Sequence, residues 1–266
     1  MKSSHLKIIN TIARVGYSAK CVVYCILGGL ILFAAFRTAT TDEVSKETVF
    51  REILTSPFGS ISLTIMIIGL SCYIIWRLVQ GITNPDNLDI TKPNEVILRV
   101  FYFGSAIVYT SVTYAAVKVL LGRSDNSSSQ DSKQMSSSIL QEEWGVVLIG
   151  IISLIIMLFA LIQFKHTIKG DFMDKFVNSM PGTKKHLANG FGRAGFAGRG
   201  VIYFMVGGFF MHAAMTYDSN KAGGMSEALQ TLLEQPFGPY LVALVGVGMF
   251  SFGVFCGFEG RYRKTS

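Results

Sequence analysis

Two segments of this chain follow one pattern: RVGYSAKCVVYCILGG from Arg14 to Gly29, and RAGFAGRGVIYFMVGG from Arg193 to Gly208. Each opens on Arg, carries Gly two residues later, a basic residue six later and Tyr ten later, and closes on a Gly pair. The offset of 179 residues between them also carries Pro57, Phe58 and Gly59 onto Pro236, Phe237 and Gly238, and Gly69 onto Gly248, without a gap. The repeating unit is therefore a whole two-helix hairpin, and a repeat of that size decides the architecture. A weaker middle copy begins at Arg99, where an offset of 85 aligns Ser105 with Lys20 and Tyr109 with Tyr24, and where Thr113 and Tyr114 stand in place of the Gly pair.

Each copy runs into a long apolar stretch. Half of the 266 residues are hydrophobic and only 15% are charged, too apolar a balance for an ordinary soluble domain. Crossing a hydrocarbon core takes roughly 20 apolar residues as helix. Six such stretches are predicted, at about 16–36, 60–81, 97–120, 145–164, 194–216 and 238–258. They group into three units, 1–85, 86–178 (degenerate) and 179–266, with two spans each. All three units then enter the membrane with the same polarity, so they are parallel repeats related by an axis along the membrane normal. The expectation is an all-α, six-helix polytopic membrane protein with a pseudo-threefold arrangement. The first apolar stretch is read as a retained helix, because no small-residue cleavage site follows a short apolar run.

Orientation follows from the basic residues. The segments up to Lys20, from Arg77 to Arg99, from Lys165 to Arg199 and from Glu259 onward hold 17 of the 24 basic residues and 6 of the 17 acidic ones. Both termini are therefore expected in the cytoplasm. The net charge of +7 is mostly this asymmetry and gives no argument for nucleic acid, since the basic residues are scattered over short loops. The largest inner loop, Lys165 to Arg193, presents Lys165, Lys169, Lys175, Lys184 and Lys185 to anionic headgroups. On the outer side, Val49, Phe50, Ile53 and Leu54 have helical spacing, as do Leu229, Leu232 and Leu233. Short amphipathic helices are expected there in the first and third repeats. The middle repeat has instead a Ser-rich loop, SDNSSSQDSKQMSSS.

Projected at 100° per residue, Lys20, Tyr24, Tyr17, Gly28 and Arg14 fall within one 120° sector of the first helix. The matching faces hold Arg193, Phe196, Arg199, Tyr203 and Gly207 in the third repeat, and Arg99, Tyr102, Ser105, Tyr109 and Thr113 in the second. The candidate site is thus a cationic and aromatic face made by Arg14, Lys20, Tyr24, Arg99, Tyr109, Arg193, Arg199 and Tyr203. Turned toward a common axis, three such faces make a cytoplasm-facing pocket or pore for a small anion or a lipid headgroup. The second helices end in polar residues, of which Arg77, Gln80, Glu259 and Arg261 are candidate partners at the membrane interface.

Other chemistry is missing from the pattern. No Asp or Glu lies near the middle of an expected span, so the usual carboxylate of ion-coupled transport is absent. The four cysteines, Cys21, Cys25, Cys72 and Cys256, lie within expected helices without metal-ligand spacing and read as packing residues. No nucleotide loop, metal-ligand set or Ser/His/Asp arrangement is visible. The expectation is a non-enzyme with no catalytic residue, metal or cofactor, in contact with membrane lipids. The alternative is a membrane scaffold or partner-binding subunit that docks through the basic 165–193 loop.

The Arg/Gly/basic/Tyr segment, its return in the third repeat, the WRLVQGITNPD ending of the second helix and the RYR ending of the last one together resemble a known family. It is the bacterial membrane family described as domain of unknown function 1206, in which a two-helix unit occurs three times. The resemblance covers nearly the whole chain. It implies a six-helix protein of the bacterial cytoplasmic membrane and no particular activity. Ser105, in place of the second basic residue of the motif, departs from the pattern and weakens a threefold-symmetric ligand site.

Overall fold

The computed structural model describes residues 2–36, 46–55, 58–83, 93–122 and 144–263. The Ser-rich segment of the middle repeat lies outside the described residues. Among the described residues eight α-helices follow in order: α1 Lys2–Phe36, α2 Lys46–Thr55, α3 Gly59–Thr83, α4 Pro93–Leu120, α5 Gly145–Lys169, α6 Gly182–Thr216, α7 Met225–Leu233 and α8 Gly238–Tyr262. Six of them, α1, α3, α4, α5, α6 and α8, contain windows long and apolar enough to cross a membrane, the make-up of a multi-pass membrane protein. A helix suits that role because it satisfies its backbone groups internally where no water is available. Helix α6 starts well before its expected span, at Gly182.

Neighbouring long helices pack in series from α4 round to α5, and an aromatic contact between those two closes the series into a ring. Helix α1 packs on α3, α3 on α4, α5 on α6, α6 on α8, and α8 back on α1. The N-terminal half of α1 and the last turn of α8 meet at one end of this bundle, where Gly260 faces Arg14 and Tyr17. The short helices α2 and α7 lie at the other, each joining the two long helices of its hairpin. Their apolar sides turn inward as the spacing predicts: Phe50, Ile53, Ala228 and Leu229 are buried. Phe58 and Phe237, 179 positions apart, both take the left-handed conformation, with φ of 59° and 62°. The glycines after them, Gly59 and Gly238, leave room for the carbonyls of Leu54 and Leu233, which a Cβ would strike.

The motif glycines set how closely the helices cross. A Cβ on Gly16 would stand 2.6 Å from the Cα of Tyr73, and one on Gly195 would stand 2.6 Å from the Cα of Phe252. Tyr73 and Phe252 are themselves 179 positions apart, so α1 crosses α3 as α6 crosses α8. The middle repeat lacks this glycine and has Phe101 there. Phe101 meets Phe159 of α5 edge to face, with ring centroids 4.1 Å apart. An aromatic pair in place of a glycine seat holds the two backbones apart, and among the described residues α4 and α5 form the loosest seam of the ring.

The segment between α5 and α6 is folded onto the bundle. Gly170, at φ 68°, ends α5 in a left-handed cap. A 3-10 turn, Asp171–Lys175, follows and buries Phe172, with Phe176 and Met180 buried just beyond it. Val177 donates a 2.9 Å hydrogen bond to the carbonyl of Tyr262, and Phe176 forms a single antiparallel bridge with Arg263. This segment thereby covers the end of the ring at which α8 ends, its rings packed against Phe196 and Phe255 in tilted and edge-to-face contacts.

Candidate functional site

Inside the ring, polar side chains from α1, α3, α4, α6 and α8 meet. Lys20 of α1 is 3% exposed, and its ammonium donates a 3.1 Å hydrogen bond to the Tyr73 hydroxyl. The same ammonium lies 4.4 Å from the ring centroid of Tyr73, 5.1 Å from Tyr109 and 5.2 Å from Phe252. Arg77, one helical turn beyond Tyr73, donates through Nε to the same hydroxyl at 2.7 Å and through Nη1 to Gln80 at 2.9 Å. The Tyr73 oxygen therefore accepts from two cations at once.

Arg199 occupies in α6 the place that Lys20 holds in α1. Its Nη2 donates to the Tyr203 hydroxyl at 2.6 Å, and its guanidinium carbon lies 4.2 Å from the centroid of Phe252. Lys20 and Arg199 thus share one aromatic ring. Tyr109 and Tyr24 link the two, their hydroxyls 3.3 Å apart. Closer to the chain ends, Arg263 pairs with Glu259 one turn earlier on α8, both side chains under 10% exposed. Its guanidinium also lies over the Tyr17 ring at 5.1 Å.

Charge dominates this interior. Four cations, Lys20, Arg77, Arg199 and Arg263, face one buried carboxylate, Glu259, among the described residues. Removing an ion from water costs several kcal/mol even after relaxation. A desolvated cation–π contact returns about 2 kcal/mol, and a hydrogen bond to a charged group about 1.5–3 kcal/mol. The rings and hydroxyls therefore offset much of the desolvation of each cation, but they supply no negative charge. Among the described residues two buried donors, Trp76 Nε1 and Arg199 Nε, have no hydrogen-bond partner, and neither do the Tyr17 hydroxyl, which can donate or accept, and the acceptor Gln163 Oε1. Side chains fill the axis at this level, since Tyr17, Tyr73, Tyr109 and Phe252 are all buried.

Of the eight face residues expected from the sequence, the structure brings together Lys20, Tyr24, Tyr109, Arg199 and Tyr203. Arg14 is exposed. Arg193 is exposed as well and donates to Asn189 at 3.3 Å. Arg99 donates to the carbonyls of Gly81 and Ile82 at 2.7 and 3.0 Å, satisfying the last turn of α3. Of the four interface candidates, Arg77, Gln80 and Glu259 are drawn into the interior while Arg261 is exposed. Sequence reasoning assigned no site role to Tyr73, the acceptor shared by two cations, or to Arg263. Tyr17 already fell on the Lys20 face, which was a usable signal.

The family model described as Domain of Unknown Function (DUF1206) matches the chain three times, at residues 15–84, 100–170 and 194–263. The chain belongs to this family. Each DUF1206 match spans two long helices of the ring, and the interior cations Lys20, Arg77, Arg199 and Arg263 fall in the first and third matches. A relative in Bacillus subtilis (strain 168), the uncharacterized protein YxxB, is 28% identical over 261 residues, covering 97% of this chain and 92% of its own length. No solved structure matches the chain.

Proposed function

We propose that this chain is a non-enzymatic protein of the bacterial cytoplasmic membrane, with both termini in the cytoplasm, whose interior cation cluster binds a small inorganic anion. The excess of four interior cations, Lys20 and Arg263 with buried side chains and Arg77 and Arg199 partly buried, over one buried carboxylate among the described residues carries the reading. Two partnerless buried donors among the described residues, Trp76 Nε1 and Arg199 Nε, support it together with the unpartnered Tyr17 hydroxyl, because a positively charged interior with free donors lacks what an anion supplies. The bacterial relative and the bias of basic residues toward the ends of the bundle that carry the termini support the membrane and the orientation. The rings packed around Lys20 favour an occluded binding site over a permanently open pore.

An anion that binds only the folded chain stabilises it by mass action, about 2.7 kcal/mol at a hundredfold excess over its dissociation constant. Thermal unfolding of the detergent-purified protein should therefore shift upward by about 5 °C or more in saturating sodium chloride or sodium phosphate, relative to sodium gluconate at equal ionic strength. The Lys20→Met/Arg199→Met double variant should melt at one temperature in all three salts. Identical melting of the unaltered protein in the three salts would count against the site, as would an anion response that the double variant keeps.

A further inference from the structure

A second cationic site, separate from the interior cluster, lies on the surface at the bundle end where the chain terminates. A cavity of about 330 Å³ opens between the end of α5 and the first turns of α6, lined by Lys169, Met173, Lys185, His186, Asn189 and Arg193 around Gly170. No carboxylate lines it. The acids beside it in sequence are engaged: Asp171 bonds His166 and stands 3.8 Å from the Lys165 ammonium, and Asp174 has an interaction of its own. Lys184, next to the cavity in sequence, is spent on the Tyr262 hydroxyl at 2.9 Å. Gly170 makes room for the cavity floor. The Arg193 guanidinium lies over it, with Nη2 3.1 Å from where a Cβ would stand, and its φ of 68° is one that other residues rarely adopt.

Exposed apolar residues neighbour these cations in sequence. Ile168, beside Lys169, is 74% exposed, and Leu187, beside His186, is 49% exposed. Both belong to helices long and apolar enough to cross the bilayer, at the helix ends that border the cavity. A free phosphate ion would use the cations and leave that apolar rim bare. A diacyl lipid uses both, its phosphate among the basic groups and its chains along Ile168 and Leu187.

We infer that this cavity holds the phosphate headgroup of an anionic phospholipid from the surrounding leaflet. Native mass spectrometry of the delipidated full chain, titrated with phosphatidylglycerol or phosphatidylcholine, tests it. The unaltered protein should retain phosphatidylglycerol in preference to phosphatidylcholine. Loss of two headgroup charges in Lys185→Gln/Arg193→Gln should weaken that retention about thirtyfold, while Lys184→Gln, whose side chain lies outside the cavity, should keep it. Equal retention of the two lipids overturns the site, as does unchanged retention in the double variant with its melting temperature preserved. Sodium phosphate at millimolar concentration should displace little lipid; binding of inorganic phosphate with full displacement overturns the lipid as occupant. Because the interior cations are untouched by these changes, the salt response of melting persists whichever way the lipid experiment falls.

Discussion

Gly195→Val is expected to lower the melting temperature of the purified protein by roughly 10 °C, or to prevent its accumulation in the membrane altogether. The Cβ that valine adds would stand 2.6 Å from the Cα of Phe252 and 2.7 Å from its backbone nitrogen. Both are main-chain atoms of α8, so no rotamer change relieves the clash; the helices must separate. Overpacking a well-filled interior costs about 1–3 kcal/mol where side chains can adjust, and a backbone obstacle places this change at the upper end or beyond. Each kcal/mol is worth about 2–4 °C in a chain of this size. Gly208→Ala serves as the control, since nothing lies within 4 Å of the added atom and alanine is the better helix former by about 1 kcal/mol. A Gly195→Val protein that melts with the parent would mean that α6 and α8 do not cross at this residue.

Glu259→Ala is expected to cost about 3–5 kcal/mol, the usual penalty for stranding one member of a buried ion pair. Arg263 would lose its carboxylate partner while staying enclosed against the Tyr17 ring, and the interior would hold four cations with no counter-charge. Two further outcomes separate this account from simple loss of packing. Glu259→Leu/Arg263→Leu should recover most of the lost stability, because replacing a buried pair by apolar groups of similar volume is often neutral or favourable. Glu259→Ala alone should also respond more strongly to chloride than the parent does, since the bound anion becomes the sole negative charge. Thermal melting of the three proteins in chloride and in gluconate reads all of these. Parent-like stability of Glu259→Ala would place the carboxylate outside the electrostatic balance of the site.

The helices were legible in the sequence because membrane spans announce themselves by length of apolar run, and the hairpin repeat was legible because Gly16, Gly69, Gly195 and Gly248 sit at one offset. The reason for that offset became visible only in three dimensions, where these glycines are the seats of matching helix crossings. The loosened middle repeat has the same cause: Phe101 stands where a glycine would let α4 and α5 approach. The site was half legible. Spacing put Lys20, Tyr24, Arg199 and Tyr203 on equivalent faces, and those residues do meet inside the ring. Arg14 and Arg193 precede them by six residues, about 9 Å of helix rise, and that displacement carries them out of the interior to the exposed ends. A helical projection reports angle and is silent about depth. The second helices offered still less direction. A span apolar on every side has no polar face to point away from the core, so Tyr73 gave no sign that it would accept from Lys20 and Arg77 together. Arg77 and Arg263 looked like residues at a membrane edge, and it is the segment folded beneath the ring, with Phe172 and Phe176, that covers this end.

The claim that an anion belongs among these interior cations is tested most directly by locating one. Crystals of the protein grown in sodium bromide, measured at the bromine absorption edge, should show an anomalous peak within hydrogen-bonding reach of Arg77, Arg199 or Tyr17 in the ring interior, and crystals of Lys20→Met/Arg199→Met should show none there. Strong anomalous peaks confined to the protein surface, with the interior empty in a well-ordered map, would contradict the account.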